Sequence, residues 1–467
     1  MSQSTNQAAS SSFASLQLKP DLLANLETMN FTQMTQIQAE SLPAILSGKD
    51  VIAQAKTGSG KTAAFGLGLL NKLNVKRFRI QTIVLCPTRE LADQVAKEIR
   101  TLARGTHNVK VLTLCGGVPM GPQIGSLEHG AHIIVGTPGR IVDHLDSGRL
   151  NLNNVNMLVL DEADRMLEMG FQDHLDHIIA QMPQHRQTLL FSATYPEQIQ
   201  TIAEQIMVKP TMVKVETTHD DVTIEQQFFE MQDGQNRIEA LELLLLDKQP
   251  SSAVVFCNTK RETQKVADSL ADKGFSVLAL HGDLEQRDRD KMLLQFANKS
   301  ARILVATDVA ARGLDIDELD AVFNYQIAYD TEVHIHRIGR TGRAGSTGVA
   351  YTFYNLEEMY KITAIEDAMK LEVSPKALPD MSVLTKQPLQ AEMVTIQIDG
   401  GKKHKLRPGD IVGCLTNGKE IAGNQIGKIK VTDIRSYVAV PQALAKTALN
   451  KITKGRLKNR TFRAWFV

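Results

Sequence analysis

Apolar and polar positions along the chain form a pattern that repeats. Between residues 13 and 209, short β-branched and apolar runs are bounded by polar or turn residues: DVIAQA (50–55), TIVLCP (82–87), HIIVGTP (132–138), MLVLDEAD (157–164) and TLLFSAT (188–194). Continuous apolar runs of this length belong to strands buried on both faces of a parallel sheet. Each is followed by a helix-like amphipathic stretch, which predicts an α/β layer fold with right-handed crossovers. The alternation returns in SAVVFCNT (252–259), FSVLALHG (275–282), ARILVATD (301–308) and LDAVFNYQ (319–326), with a helix predicted from Lys260 to Lys273. Two α/β domains are therefore expected, at 13–209 and 223–372. The joint at 210–222 is where TTHDDVT breaks the pattern. A second joint, 373–390, gathers Pro375, Pro379 and Pro388. Beyond it MVTIQIDG (393–400), GKIKVTDI (427–434), RSYVAV (435–440) and TFRAWFV (461–467) read as strands, and helical stretches follow Pro408 and Pro441. That β-α-β-β-α-β order over 391–467 predicts a small α+β sandwich with a four-stranded sheet. The Ser-, Gln- and Asn-rich residues 1–12 are expected to form a disordered tail.

Composition agrees with this division and adds one asymmetry. A chain of 467 residues with 43% apolar content suits roughly three domains with real cores. Basic and acidic residues nearly cancel, 53 against 52. From Leu389 to Val467, however, 15 Lys or Arg face 5 Asp or Glu, a net of +10 that leaves −9 on the rest. A small basic module on a mildly acidic body suits a polyanionic partner better than a membrane. Cys86, Cys115, Cys257 and Cys414 are scattered without C-x-x-C spacing, so buried free thiols are expected, not zinc or disulfides. MSQSTNQAASSS lacks the positive charge and apolar core of a secretory signal, and no apolar stretch is long enough to span a bilayer. A soluble, cytoplasmic protein is expected, with no obligate protein partner.

The chemistry starts at AKTGSGKT, Ala55, Lys56, Thr57, Gly58, Ser59, Gly60, Lys61 and Thr62. It follows one predicted strand and opens a helix, the setting of a phosphate-binding P-loop, although Ala55 replaces the leading Gly of the general pattern. Gly58 and Gly60 let the backbone approach phosphates, and N–H groups at the helix start cradle anionic oxygens. Lys61 suits the β- and γ-phosphates of ATP, and the Thr62 hydroxyl suits Mg²⁺. In MLVLDEAD, Asp161 ends a strand, where open α/β sheets bind ligands. It is a candidate Mg²⁺ ligand, with Glu162 as the general base for an attacking water. HRIGRTGR (336–343) places three arginines in one short segment. Arg340 and Arg343 are three apart, so a helical segment would aim both one way. They are assigned as arginine fingers.

In combination these motifs resemble the DEAD-box RNA helicases, and DEAD itself stands at 161–164. The resemblance runs from about Phe13 to Lys370. It implies two tandem RecA-like parallel-sheet domains, followed here by the small RNA-recognition-motif-like α+β domain. FTQMTQIQ (31–38) looks like the adenine-reading Q motif, with Gln38 as reader and Phe13 and Phe31 as aromatic supports. Asn30 stands where Gly is usual and Gln36 where Pro is usual. PTREL, the Gly116-Gly117 pair and TPGR match the family's RNA-backbone contacts, which implicates Pro87, Thr88, Arg89, Gly117, Thr137, Pro138, Gly139 and Arg140. SAT (192–194) resembles the element coupling hydrolysis to strand separation, through Ser192 and Thr194, and His336 is assigned to the same coupling. VVFCNT, HGDLEQRDR and ATDVAARGLD match the remaining motifs, and the likeness implies that Arg287 and Thr307 touch RNA and Asp315 the ATP ribose. Contacts of this kind read backbone shape and 2′-hydroxyls, not sequence.

The last 75 or so residues resemble the RNA-binding domain of the DbpA subgroup, through IDGGKKHKLRPGDIVG (398–413), IGKIKV (426–431) and YVAVPQ (437–442). Membership implies a substrate in 23S ribosomal RNA and a role in assembling the large ribosomal subunit. An RNA-recognition sheet stacks bases on two or three central aromatics. Here DIRSYVAV offers only Tyr437 and MVTIQID none, so the basic segments KKHKLR (Lys402, Lys403, Lys405, Arg407) and KGRLKNR (454–460) are the expected contacts. The leading expectation is an ATP-dependent RNA helicase that opens short duplexes. An ATP-gated RNA clamp and a DNA helicase are the alternatives.

Overall fold

Strands that are apolar at every position must be covered on both sides, and in the computed structural model they are. It describes residues 12–55, 58–215, 224–232, 234–311, 319–342, 348–418 and 420–467. The chain divides into two units, one up to Thr218 and one from His219. The first holds seven strands: β1 (Val51–Gln54), β2 (Thr82–Leu85), β3 (Val111–Leu114), β4 (Ile133–Gly136), β5 (Met157–Asp161), β6 (Gln187–Ser192) and β7 (Thr211–Lys214). Their order is β3-β4-β2-β5-β6-β1-β7, and every pair is parallel. Alternate residues feed two cores. Val51, Ala53, Met157 and Val159 face one side, and Ile52, Leu158 and Leu160 the other.

Both edge strands escaped the sequence reading. β3 and β7 are only partly buried, so their residues lack the continuous apolar run of the central strands. β7 corrects the joint placed at 210–222, since Thr211–Lys214 pairs with β1 and belongs to the first domain. Residues 216–223 lie outside the described residues. So do residues 1–11 of the expected tail, whereas Ser12 pairs with Gln33 and caps the turn at Phe13.

The second unit opens with a six-stranded parallel sheet: β8 (Ile224–Glu230), β9 (Ala253–Cys257), β10 (Val277–Leu280), β11 (Ile303–Thr307), β12 (Ala321–Asn324) and β13 (Gly348–Tyr354), in the order β10-β11-β9-β12-β13-β8. Val255, Val305 and Phe323 pack there against Leu241 and Leu244 of helix Arg237–Lys248. The expected joint at 373–390 is not a free linker. Pro375 bridges to β8, Lys376 N–H donates to the Phe228 carbonyl at 2.7 Å, and Leu378 and Val383 pack on the core.

The chain ends in a four-stranded antiparallel sheet, β14 (Met393–Ile398), β15 (Ile429–Val431), β16 (Ser436–Pro441) and β17 (Ala464–Phe466), ordered β15-β16-β14-β17. Helices Pro408–Thr416 and Ala445–Lys454 cover one face, where Ile396, Ile398, Val438 and Val440 meet Ile411, Leu415 and Ile452. Strand alternation turns Thr395, Gln397 and Ala439 to the other face, yet these too are buried. The loop before β11 reaches this face. Asn298 Nδ2 donates to Thr395 Oγ1 at 3.1 Å, Ser300 and Thr395 share a hydroxyl hydrogen bond of 2.7 Å, and Arg302 Nε donates to the Gln390 carbonyl at 2.7 Å. The module is thus docked on the second α/β domain by polar contacts that run from buried, at Asn298, to exposed, at Arg302. Among the described residues, no helix is long and apolar enough to cross a membrane.

Candidate nucleotide and RNA sites

In a parallel sheet the loops after the strands gather at one end, and here they bring the motifs together. β5, β6 and β1 are neighbours, so the DEAD, SAT and P-loop segments that follow them lie side by side. Helix Lys61–Lys72 begins at Gly60, whose φ of +92° is a left-handed value suited to Gly. A Cβ on Gly60 would also sit 2.5 Å from Gln38 Nε2. Gln38 is 4% exposed and holds a capping box with Thr35 at the start of helix Gln36–Leu46. Its Oε1 accepts from Thr35 N–H at 2.9 Å, and its Nε2 donates to the Gly60 carbonyl at 3.0 Å. The adenine-reading candidate is therefore tied directly to the P-loop. Phe13 is buried and stacks on the half-exposed Phe31 with ring centroids 6.5 Å apart.

The two departures in this motif have local explanations. Asn30 adopts φ 57°, the left-handed conformation Gly would supply, and Asn is among the few L-residues that tolerate it. Gln36 occupies the first helical position, where Pro is favoured, and the capping box secures that helix start without it.

Lys61 is 7% exposed and donates from Nζ to the Ala55 carbonyl at 2.8 Å, while Ala55 N–H donates to the Ser192 carbonyl. Ser59 Oγ is buried without a hydrogen-bond partner. Asp161 is 3% exposed. Burial pushes its carboxyl up to about 7, with Lys61 pulling down and Glu162 pushing up. A buried ammonium, an orphaned hydroxyl and a buried carboxylate fit a phosphate chain carrying Mg²⁺. Glu162 is half-buried at φ 53°, ψ 54°, a left-handed conformation costing about 1–2 kcal/mol for a non-Gly residue. Strain of this kind clusters at working sites.

Asp164, which alone would pass for an ordinary helix-start carboxylate, has a more specific place. Its Oδ2 accepts from Ala193 N–H, Thr194 N–H and Thr194 Oγ1 at 3.2, 3.0 and 3.0 Å, and its own N–H donates to Ser192 Oγ at 3.3 Å. Burial alone would raise this carboxyl, but the bonds from Thr194 and Ser192, with the Lys61 charge, outweigh it and hold it below the usual range. The DEAD and SAT loops therefore act as one hydrogen-bonded body.

The other half of the same sheet edge carries the RNA candidates. PTREL follows β2, Gly116-Gly117 follows β3 and TPGR follows β4, and β3-β4-β2 are neighbours. Thr88 Oγ1 caps helix Arg89–Leu102 by accepting from Leu91 N–H, and Arg89 pairs with Asp93 at 3.7 Å. Thr137 Oγ1 accepts from Gly116 N–H at 3.4 Å, and Gly117 has a φ of +73°. Pro138 and Gly139 open helix Pro138–Asp146, while Arg140 Nη1 donates to the Val118 carbonyl at 3.1 Å. Pro87 is buried beneath them.

In the second domain Thr307 ends β11, its Oγ1 accepting from Ala310 N–H, and Arg287 is exposed near the start of helix Gln286–Ala297. The arginine segment departs from expectation. Helix Thr331–Ile338 holds His336, half-buried, but stops before Arg340, which lies in the following turn. A shared helical face therefore does not align Arg340 with Arg343. Arg343, Asp315, Lys56 and Thr57 lie outside the described residues. The sequence reading also missed Arg337. It is 1% exposed and forks onto Asp308 through Nε and Nη2 at 2.6 and 2.7 Å, with further bonds to Asn258 Oδ1 and the Gln326 carbonyl. It ties together the ends of β9, β11 and β12. The signal available was its spacing, three residues before Arg340 and inside the helix.

In the small module, Lys402 and Lys403 sit on a 3-10 turn held by N–H bonds to the carbonyls of Thr432 and Asp433. Lys402, Lys403, Lys405 and Arg407 are all exposed. The register sets Lys430, Tyr437, Gln397 and Trp465 in one row across the sheet. Trp465 is thus a second sheet aromatic, missed because it lies on an edge strand and not a central one. All four cysteines are free, three of them buried and Cys414 only half-buried.

Comparisons with known proteins agree in three segments. The DEAD/DEAH box helicase family model matches residues 35–202, the helicase conserved C-terminal domain residues 236–345, and the DbpA RNA binding domain residues 395–465. The ATP-dependent RNA helicase DbpA of Escherichia coli (strain K12) is 53% identical over 446 residues, 96% of this chain and 97% of that protein. The DEAD-box ATP-dependent RNA helicase CshA of Bacillus subtilis (strain 168) is 44% identical over 79% of this chain and 74% of its own. Among solved structures, S. cerevisiae Dbp5 bound to RNA and ADP BeF3 superposes with a TM-score of 0.71 at 31% identity, covering 78% of this chain and 95% of that one. With both RecA-like domains and the basic module accounted for, the chain belongs to the DEAD-box ATP-dependent RNA helicases that carry a DbpA RNA-binding domain.

Proposed function

We propose that this helicase remodels short duplexes in 23S ribosomal RNA during assembly of the large ribosomal subunit, in the cytoplasm. The observation that carries the reading is the shared sheet edge. RNA-facing loops follow β3, β4 and β2, ATP-facing loops follow β5, β6 and β1, and Asp164 bonds the last of the DEAD residues to Thr194. Movement at the nucleotide is thereby transmitted to the segment beside the RNA loops. Phe13, Phe31 and Gln38 hold the adenine, Asp315 the ribose, and Ser59, Gly60 and Lys61 the phosphates. Thr62 and Asp161 would hold Mg²⁺, which supplies neutralising charge to the phosphates. Glu162 orients the attacking water and takes its proton. Arg340 and Arg343 stabilise the charge that develops on the transferred phosphoryl group, a contribution on the order of 10³ to 10⁵ in rate. The docked basic module supplies target choice, through Lys402, Lys403, Lys405 and Arg407.

Steady-state ATPase activity with 23S RNA, with total RNA depleted of it, with DNA and with no nucleic acid tests this. Stimulation by 23S RNA alone, lost when Lys402, Lys403 and Lys405 become Glu in the full chain, is the expected result. Equal stimulation by every RNA would overturn the ribosomal assignment, and stimulation by DNA would overturn the RNA one. Unwinding of a short tailed duplex separates a helicase from an ATP-gated clamp, which would bind without opening it.

A further inference from the structure

The nucleotide and RNA loops all follow the strands of the first sheet, but the opposite end of that sheet carries its own group of residues. The loop before β2 contains Lys76, Arg77, Phe78 and Arg79, and Lys110 directly precedes the nearby β3. Phe78 is 52% exposed, an unusual position for a large aromatic in so basic a segment. A lone exposed apolar residue needs no explanation; what matters is what this one is seated on.

Gln81, almost wholly buried, braces the loop from inside. Its Nε2 donates to the carbonyls of Asn74 and Arg77 at 2.8 and 2.7 Å, and its Oε1 accepts from Asn74 N–H at 3.0 Å. Beneath Phe78 lies His132, fixed through both ring nitrogens, with Nδ1 accepting from Lys110 N–H and Nε2 bonded to the Val75 carbonyl. The Phe78 ring meets it edge-to-face at 4.9 Å. Gly130, at φ +71°, leaves the ring its seat, because a Cβ there would come within 2.6 Å of Phe78. Lys110 Nζ lies 5.9 Å from the ring centroid. No ion pair engages Lys76, Arg77, Arg79 or Lys110 among the described residues.

We propose that this loop is a second RNA anchor, in which Phe78 stacks an unpaired base while Arg77, Arg79 and Lys110 take the flanking phosphates. A prepositioned aromatic face among uncompensated cations is the arrangement that holds single-stranded nucleic acid without reading sequence. A protein partner would exploit the ring but would need acidic groups to meet four cations. The sheet's length separates the anchor from the motif loops, so it grips RNA extending beyond the duplex being opened. It keeps the enzyme on its transcript between openings.

The test uses the full-length protein and a single-stranded oligouridylate of about 40 nucleotides, long enough to exceed a site of ~4–16 nucleotides. Fluorescence anisotropy across a salt series is expected to show affinity falling about tenfold in both Phe78→Ala and Phe78→Leu, the loss of roughly one base stack. Phe78→Trp should retain affinity, and in a Trp465→Phe background its indole should be quenched by the RNA. Arg77→Ala with Arg79→Ala should reduce the salt slope by about 1.4, the share of roughly two single-strand phosphates. The ATPase kcat at saturating RNA should be unchanged. Phe78→Leu covers the case in which Phe78→Ala fails to fold, since it keeps apolar contact with His132 but has no π-face. Wild-type affinity and slope in every variant would overturn the proposal. So would normal binding by Phe78→Leu.

Discussion

Arg337 separates bracing from catalysis within a single motif. It sits three residues before the proposed finger Arg340, yet only Arg337 is buried. Its guanidinium grips both oxygens of Asp308, the Asn258 amide oxygen and the Gln326 carbonyl within 2.6–2.8 Å, and lies 5.2 Å over the Phe256 ring. Arg337→Met would leave the Asp308 carboxylate, itself mostly buried, without its counter-charge. Breaking a buried pair from one side costs about 3–5 kcal/mol. Arg337→Lys keeps the charge but not the fork, stranding at least one acceptor at about 1–3 kcal/mol. Against a domain stability of roughly 5–15 kcal/mol, the Met variant should lose about a fifth or more. Urea unfolding followed by circular dichroism, with hydrogen exchange localising the change to β9, β11 and β12, measures it. Arg340→Lys is the counterpart, expected to abolish ATP turnover while leaving the midpoint in place. If Arg337→Lys unfolds like the wild type and loses turnover as Arg340→Lys does, the bracing argument fails and Arg337 acts at the nucleotide.

Other positions offer equally direct checks. Thr395→Val keeps the side chain's shape but strands the Asn298 amide and the Ser300 hydroxyl, so the basic module should undock. Faster proteolysis between residues 386 and 392 would register it, and an unaltered cleavage rate would refute the docking contact. His334 is buried against Phe228, with Nε2 bonded to Gln226 Oε1 and Nδ1 without a partner. Burial, and then the Arg337 charge, lowers its pKa to about 3. Because the unfolded chain takes up this proton first, stability contributed above the unfolded value near 6.5 should fall as pH drops toward 3, by up to about 1.4 kcal/mol per pH unit. His334→Gln should flatten that slope in acid urea titrations, and an unchanged slope would exonerate the residue. At Asn30, substitution by Gly should be neutral or slightly stabilising. Substitution by Val, forced into positive φ, should cost on the order of 1–2 kcal/mol and loosen nucleotide binding.

Most of the central strands, the P-loop, the DEAD tetrad and the three-part organisation were legible in the sequence because each rests on local physics. An apolar run must be covered, a Gly-rich turn before a helix suits phosphate, and a Pro-bearing stretch interrupts both. The edge strands β3, β7 and β8 were not legible, since a strand paired on one side needs no continuous apolar pattern, and internal β13 was missed as well, its GVAYTFY run mixing Gly, Thr and Tyr with few aliphatic residues. Nor was the place of residues 373–390, whose few apolar side chains find their pocket only once β8 is in the sheet. The pairing of Asp164 with Thr194, 30 residues apart, and the fork of Arg337 on Asp308 depend on which strands become neighbours. So does the sorting of RNA loops to β3-β4-β2 and ATP loops to β5-β6-β1. Residue type and spacing determine which chemistry each segment can perform. Strand order determines which segments meet, because backbone pairing fixes neighbours that lie far apart along the chain.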